Sequence, residues 1–280
     1  MSTQADAVSA LNAIDTDVAA HLVSRRHAIT KGVTTSGLVM AGLRIGSVPA
    51  ALAALATDAY GQGRLPTVVN GVLNFALVLE YLESEFYNLG VAAPNLIPAA
   101  DRQIFLTIQA HENVHVQFLR TTLGASARPK PMFDFTAGNG SGNGPFADVF
   151  TNYNTFKAVA QAFEDTGVRA FKGQAPALQP YKDVLQAALT IHSVEARHAA
   201  EIRRLRGNFA DNEPFFEGWI TNAITDIPGT EAVYAGDANT THLGIDVTTV
   251  TSVSAKEVSE AFDEPLTMAA VLAIIDPFIV

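Results

Sequence analysis

Ile108-Gln109-Ala110-His111-Glu112-Asn113-Val114-His115 and Ile191-His192-Ser193-Val194-Glu195-Ala196-Arg197-His198 repeat one pattern, an apolar residue followed by a glutamate and a histidine three positions apart. On a helix three residues turn about 300°, so the Glu and His of each stretch share a face and can reach one metal ion. Upstream of each lies a lone glutamate: Glu80, 32 residues before Glu112, and Glu164, 31 residues before Glu195. The chain has 13 Glu and 7 His, and random placement would give about a third of one Glu-x-x-His pair. Two pairs with matched upstream glutamates exceed what coincidence supplies and point to a metal site. Four carboxylates and two imidazoles from four helices are the ligand set of dinuclear metal sites inside helix bundles. The alternative is polar pairs that satisfy each other without metal. It is physically weak, because burying four carboxylates without a cation demands large upward pKa shifts.

The surrounding text reads as helices. Leu73, Glu80 and Tyr87 recur every seven residues in a segment from Thr67 to about Leu89, with Pro66 before it and Gly90 and Pro94 after. A second helix is expected from about Pro98 to Leu123, placing Ile104, Ile108, Glu112, His115 and Leu119 on one face. From Ala125 to Pro145 prolines and alternating glycines break the pattern, which predicts a long crossover. A third helix from about Ala147 to Lys172 carries Ala160, Glu164, Val168 and Phe171, and Gly173 to Pro176 read as a turn. A fourth, about Gln179 to Leu205, aligns Ala188, Ile191, Glu195, His198 and Ile202. Helix hairpin, crossover, helix hairpin is an internal duplication of pattern. The fold class predicted is all-α, an antiparallel four-helix bundle over 61–207 with a long central crossover. Residues 208–280 read as a mostly irregular C-terminal extension with short helices, including a Ser254–Glu257 capping box, packing on the bundle.

The duplication also selects the metal ligands: Glu80, Glu112, His115, Glu164, Glu195 and His198. Glu83 lies only about 60° round the helix from Glu80, but its duplicate position is Gly167, so it reads as an outer or rim charge. Glu112 and Glu195 are expected to bridge two ions, each completed by one imidazole and one terminal glutamate. Hard oxygen ligands with one nitrogen per ion suit two iron or manganese ions rather than zinc. Two further residues are catalytic candidates. His192 shares the face of Glu195 and is expected to donate to a carboxylate or to carry protons. Tyr87 would orient a carboxylate or take part in redox chemistry, the plainer reading being aromatic core. His111, about 100° off the seam, reads as structural.

A net charge of −10 without any Lys/Arg cluster argues against a nucleic-acid partner. Absence of cysteine removes disulfides, thiol nucleophiles and cysteine-ligated clusters. Residues 1–60 read as an address: Ser24-Arg25-Arg26-His27-Ala28-Ile29-Thr30-Lys31, a weakly apolar run from Gly32 to Ala56, and small residues around Ala53 and Ala56 resemble a twin-arginine export signal. Ala28 where such signals carry an aromatic, and Asp6, Asp15 and Asp17 upstream, depart from it. A packed N-terminal helix is the alternative. Arg44 within the run argues against a stable membrane span. Export would place the protein in the periplasm or cell envelope; without a signal it would be cytoplasmic.

The run Leu73-Asn74-Phe75-Ala76-Leu77-Val78-Leu79-Glu80-Tyr81-Leu82-Glu83-Ser84-Glu85-Phe86-Tyr87, with Glu195-Ala196-Arg197-His198 and Ala261-Phe262-Asp263-Glu264-Pro265-Leu266-Thr267, resembles the ferritin-like domain proteins of the desiccation-associated group. The resemblance spans about residues 64–280 and implies the ferritin-like bundle, while leaving the reaction open. Three functions compete. The first is a dinuclear redox protein reacting with O2 or peroxide, or oxidising Fe(II). The second is a non-catalytic protective protein in which the metals staple the bundle. The third, an iron-storage cage built as a homo-oligomer, is disfavoured by the long crossover and the tail.

Overall fold

The computed structural model describes residues 65–207 and 217–280. The export signal and the packed-helix alternative fall on residues 1–60 and lie outside the described residues. Four long helices dominate: α1 (Thr67–Ala92), α2 (Arg102–Leu123), α3 (Tyr153–Leu178) and α4 (Lys182–Arg206). Three shorter ones follow, α5 (Glu231–Tyr234), α6 (Ala255–Ala261) and α7 (Met268–Ile275), with one hairpin of two-residue strands, β1 (Thr241–His242) and β2 (Ile245–Asp246).

The seam residues explain the helices. On α2 the buried positions include Phe105, Ile108, Glu112, His115, Leu119 and Thr122. On α4 they include Val184, Ala188, Ile191, Glu195, His198 and Ile202. Steps of three and four residues keep such a set on one face, and each Glu-x-x-His pair continues an apolar stripe. Helix α1 is buried almost all round, as a helix covered on several sides must be.

Helices α1 and α3 run antiparallel: Gly90 and Phe86 near the end of α1 meet Phe156 near the start of α3. Helices α2 and α4 do the same, His111 meeting His198 while His115 meets Glu195. The crossover must therefore travel the length of the bundle between the end of α2 and the start of α3. Its Phe135 packs on Phe86 and Phe163. Phe133 bridges to Ile279 at the chain's end.

The third helix differs from its expected bounds at both ends. Between Ala147 and Asn152 the chain turns instead of coiling; the Asp148 carbonyl accepts from the Thr151 and Asn152 amides, and Asn152 then caps α3 by accepting from the Asn154 amide. At the other end the helix continues through Gly173 and Pro176, read from sequence as a turn, to Leu178. Burying Leu178 in the core between α1 and α4 favours the extra turns. Gly173 is needed there, because a Cβ would strike the Leu266 carbonyl oxygen.

The tail is fastened to α3 by polar groups. Arg169, fully buried, donates to the carbonyls of Val233, Ala235 and Glu264, and its own carbonyl accepts from the Leu266 amide. The Ser254–Glu257 capping box starts α6, and Thr267 caps α7. No helix among the described residues is long and apolar enough to cross a membrane.

An aromatic layer packs between the end of α1 and the start of α3. Phe86 stacks on Phe156 at 4.7 Å between ring centres, and Phe163, Phe135 and Phe150 surround it. Gly90 lets Phe156 lie against α1: a Cβ there would come within 2.2 Å of a Phe156 ring carbon. Gly90→Ala should therefore destabilise despite the ~1 kcal/mol that alanine gains as a helix former. Overpacking costs typically about 1–3 kcal/mol, so urea unfolding should show a net loss. A rise in stability would mean that Phe156 relaxes freely.

Candidate metal centre

Glu80 on α1, Glu112 and His115 on α2, Glu164 on α3, and Glu195 and His198 on α4 converge in the middle of the bundle. The four carboxylates are fully buried, and His115, the most exposed of the six, is only 8 % accessible. Both imidazoles turn Nδ1 inward. His115 Nδ1 lies 3.2 Å from Glu80 Oε2, 3.1 Å from Glu112 Oε2 and 3.2 Å from Glu195 Oε1. His198 Nδ1 lies 2.9 Å from Glu112 Oε1 and 3.3 Å from Glu164 Oε2. The two oxygens of Glu112 thus face different imidazoles.

The donor atoms form two overlapping groups. One comprises Glu80, Glu112, His115 and Glu195; the other comprises Glu112, Glu164, Glu195 and His198. Within each, the donor atoms lie within 4.8 Å of one another. Glu112 and Glu195 belong to both.

Whether these residues fit a metal can be judged from what else could satisfy them. Glu80 Oε1, Glu112 Oε1, Glu164 Oε2, both oxygens of Glu195 and His198 Nδ1 are buried without a hydrogen-bond partner among the described residues. The 2.9 Å approach of His198 Nδ1 to Glu112 Oε1 is close but not aligned for a hydrogen bond. One His115 N–H cannot serve three carboxylates at once. Lone pairs converging on shared points, without donors to meet them, fit a cation.

The electrostatics agree. Burial pushes the Glu80 carboxyl well above the usual carboxylate range, against the pull of His115. Burial likewise lifts Glu164 to about 8, His198 opposing and Glu195 and Glu112 adding to the rise. Burial opposes ionisation of Glu112 too, but His115 and His198 outweigh it and hold that group well below its ordinary value. Both imidazoles are raised: burial acts against their charge, and Glu80 and Glu112 at His115, and Glu164 and Glu112 at His198, overcome it. Without a cation, protons must hold these carboxylates together.

The neighbours bring corrections. Of the two readings of Glu83, an outer carboxylate or a rim charge, burial removes the rim: it is 2 % accessible, its Oε2 has no partner among the described residues, and burial together with Glu195 and Glu164 raises its pKa. Gly167 makes room for it, since a Cβ there would lie 3.1 Å from Glu83 Oε1 and 3.0 Å from Glu195 Oε2. His192 does not donate to a carboxylate of the cluster; its hydrogen bond among the described residues joins Nδ1 to the Val168 carbonyl oxygen at 3.0 Å. His111 is the imidazole that touches the centre, with Nδ1 2.9 Å from His198 Nε2 and the two rings stacked. Tyr87 donates its hydroxyl to Glu164 Oε1 at 2.5 Å. The contact of His111 escapes a single-helix reading because its partner comes from the opposite hairpin.

The family model of the ferritin-like domain matches residues 69–208, half of the chain. The chain belongs to the ferritin-like family. No curated protein and no solved structure matches it. Its match begins within α1 and ends just after α4, so the ferritin-like segment contains all six residues of the cluster.

Proposed function

We propose that the cluster holds two metal ions, iron or manganese, and that the protein uses them to react with O2 or peroxide. The observation that carries this is the pair of four-residue groups sharing Glu112 and Glu195. In this reading Glu112 and Glu195 would be shared by both ions, Glu80 and His115 would complete one position, and Glu164 and His198 would complete the other. Oxygen-rich donor sets with one nitrogen per ion suit iron or manganese. When bound, a pair of such ions would relay electrons between two peroxide molecules, or from substrate Fe(II) to O2 or peroxide. The protein's own groups do the rest. Tyr87 holds a proton at its hydroxyl against Glu164 Oε1, with burial keeping the phenol neutral. The aromatic layer of Phe86, Phe156 and Phe163 excludes water from that end. The buried carboxylates hold protons or metal according to pH.

A second reading is favoured by one observation: the four carboxylates of the cluster are fully buried. A site that only staples four helices needs no access, and such a protein would act by protecting others under drying or oxidative stress. The two readings separate on turnover. Metal analysis of purified protein, followed by peroxide consumption and Fe(II) oxidation assays, is expected to find two ions per chain and measurable turnover. A fully metallated protein inert to O2, peroxide and Fe(II) would establish the staple.

Export to the periplasm or cell envelope is part of the proposal and is supported by Ser24-Arg25-Arg26 and the apolar run after it. N-terminal sequencing of protein from the native host should find a start between Ala53 and Gly61. A start near Met1 in cytosolic protein would refute it.

A further inference from the structure

We propose that the two metal positions are unequal: the Glu164–His198 position is pre-ordered and binds its ion tightly, while the Glu80–His115 position is loose and exchanges. The inference rests on the dinuclear reading. Outer contacts that fix a ligand's orientation or tautomer raise metal affinity, and removing one costs about 10–100-fold. Here both such contacts fall on the same position. Tyr87 donates to Glu164 Oε1 at 2.5 Å, which leaves Oε2 turned toward His198. His111 Nδ1 stands 2.9 Å behind His198 Nε2. In the tautomer where His198 Nε2 donates to His111, the inward Nδ1 of His198 keeps its lone pair for a metal.

The duplicated half does not reproduce either contact. The residue seven beyond Glu164 is Phe171, where Tyr87 is seven beyond Glu80; the residue before Glu195 is Val194, where His111 precedes Glu112. Neither Phe nor Val can make the hydrogen bond. Glu80 keeps its one contact, from Oε2, with the neighbouring ligand His115, and its Oε1 has no partner among the described residues; Glu164 is held from outside the donor set, by Tyr87 at Oε1, and its open oxygen is Oε2. A ligand already held in place loses less freedom on binding than one that must be ordered by the ion. The Glu80–His115 position is then the one at which metal enters, leaves or is replaced.

The test is a titration of metal-stripped full-length protein with Mn(II), following free Mn(II) by electron paramagnetic resonance. Wild type should bind two ions in steps separated by about tenfold or more. Tyr87→Phe and His111→Val install the residues that the other half carries. Each should weaken the tight step by roughly 10–100-fold and leave the weak step nearly unchanged. Glu164→Ala should lose the tight step and Glu80→Ala the weak one. Two equal steps in wild type, or a Tyr87→Phe effect confined to the weak step, would overturn the inequality while leaving the dinuclear reading intact. Failure of wild type to bind two ions would sink the dinuclear reading itself. Circular dichroism of each stripped variant checks its fold; if His111→Val does not fold, Tyr87→Phe, which removes one oxygen, decides alone.

Discussion

Replacing Glu112 by alanine is expected to empty both metal positions together. Its Oε1 faces His198 and its Oε2 faces His115, so one side chain serves both halves of the cluster. Losing an outer contact already costs about 10–100-fold in affinity, and a ligand shared by both ions should cost more than that at each. Glu80→Ala offers the contrast, since Glu80 belongs to one group of donors only. It should leave about one ion per chain, whereas Glu112→Ala and Glu195→Ala should leave close to none. Turnover of peroxide or Fe(II) should vanish in the bridging variants. Metal analysis after dialysis, with circular dichroism to check folding, reads the outcome. A folded Glu112→Ala protein that retains two ions would show that the carboxylate is not shared.

The second large effect is a reversal of the pH dependence of stability on metal loading. In protein stripped with a chelator, Glu80 and Glu164 have pKa values raised above those of the unfolded chain, as do His115 and His198. A raised group stabilises the fold fully below its unfolded value and loses that contribution as pH climbs through its folded value. For Glu164 the window runs from 4.5 to about 8. Glu112, lowered, acts the other way and gives up its contribution only as pH falls below its ordinary value. The stripped protein should therefore be more stable near pH 5 than near pH 8. Metal competes with protons for the same lone pairs, so the loaded protein should gain most at the higher pH. Each ion present at a hundred times its dissociation constant adds about 2.7 kcal/mol. At about 2–4 °C per kcal/mol for a chain of this size, two ions should raise the melting temperature on the order of 10 °C near pH 8. Melting curves of stripped and loaded protein at pH 5.5 and 8 test this. An equal metal-induced shift at both values would mean that protons do not occupy the metal's place.

What one chain of letters can convey depends on range. The stripes on α2 and α4 were legible because a helix repeats every three or four residues, and a seam that alternates Ile with Glu and His declares both its buried face and its chemistry. The capping box at Ser254 was legible for the same local reason. The path of α3 was not. Gly173 and Pro176 signal a turn locally, yet Leu178 gains from burial and the Leu266 carbonyl fills the space beside Gly173, and both terms come from elements distant in sequence.

The six cluster residues, by type and spacing, were fixed by the sequence alone, since helical periodicity aligns each Glu with its His and the duplicated pattern pairs Glu80 with Glu164. Only the tertiary structure decided what surrounds them. His192 occupies the expected face of its helix, yet it meets the carbonyl of Val168, while His111, off the seam of its own helix, reaches His198 across the bundle. Glu83 read as an outer or rim charge, and only packing showed that Gly167, 84 residues later, leaves the space its carboxylate fills. Such contacts depend on how helices pack against one another, and a helical wheel reports only the direction a side chain leaves its own axis.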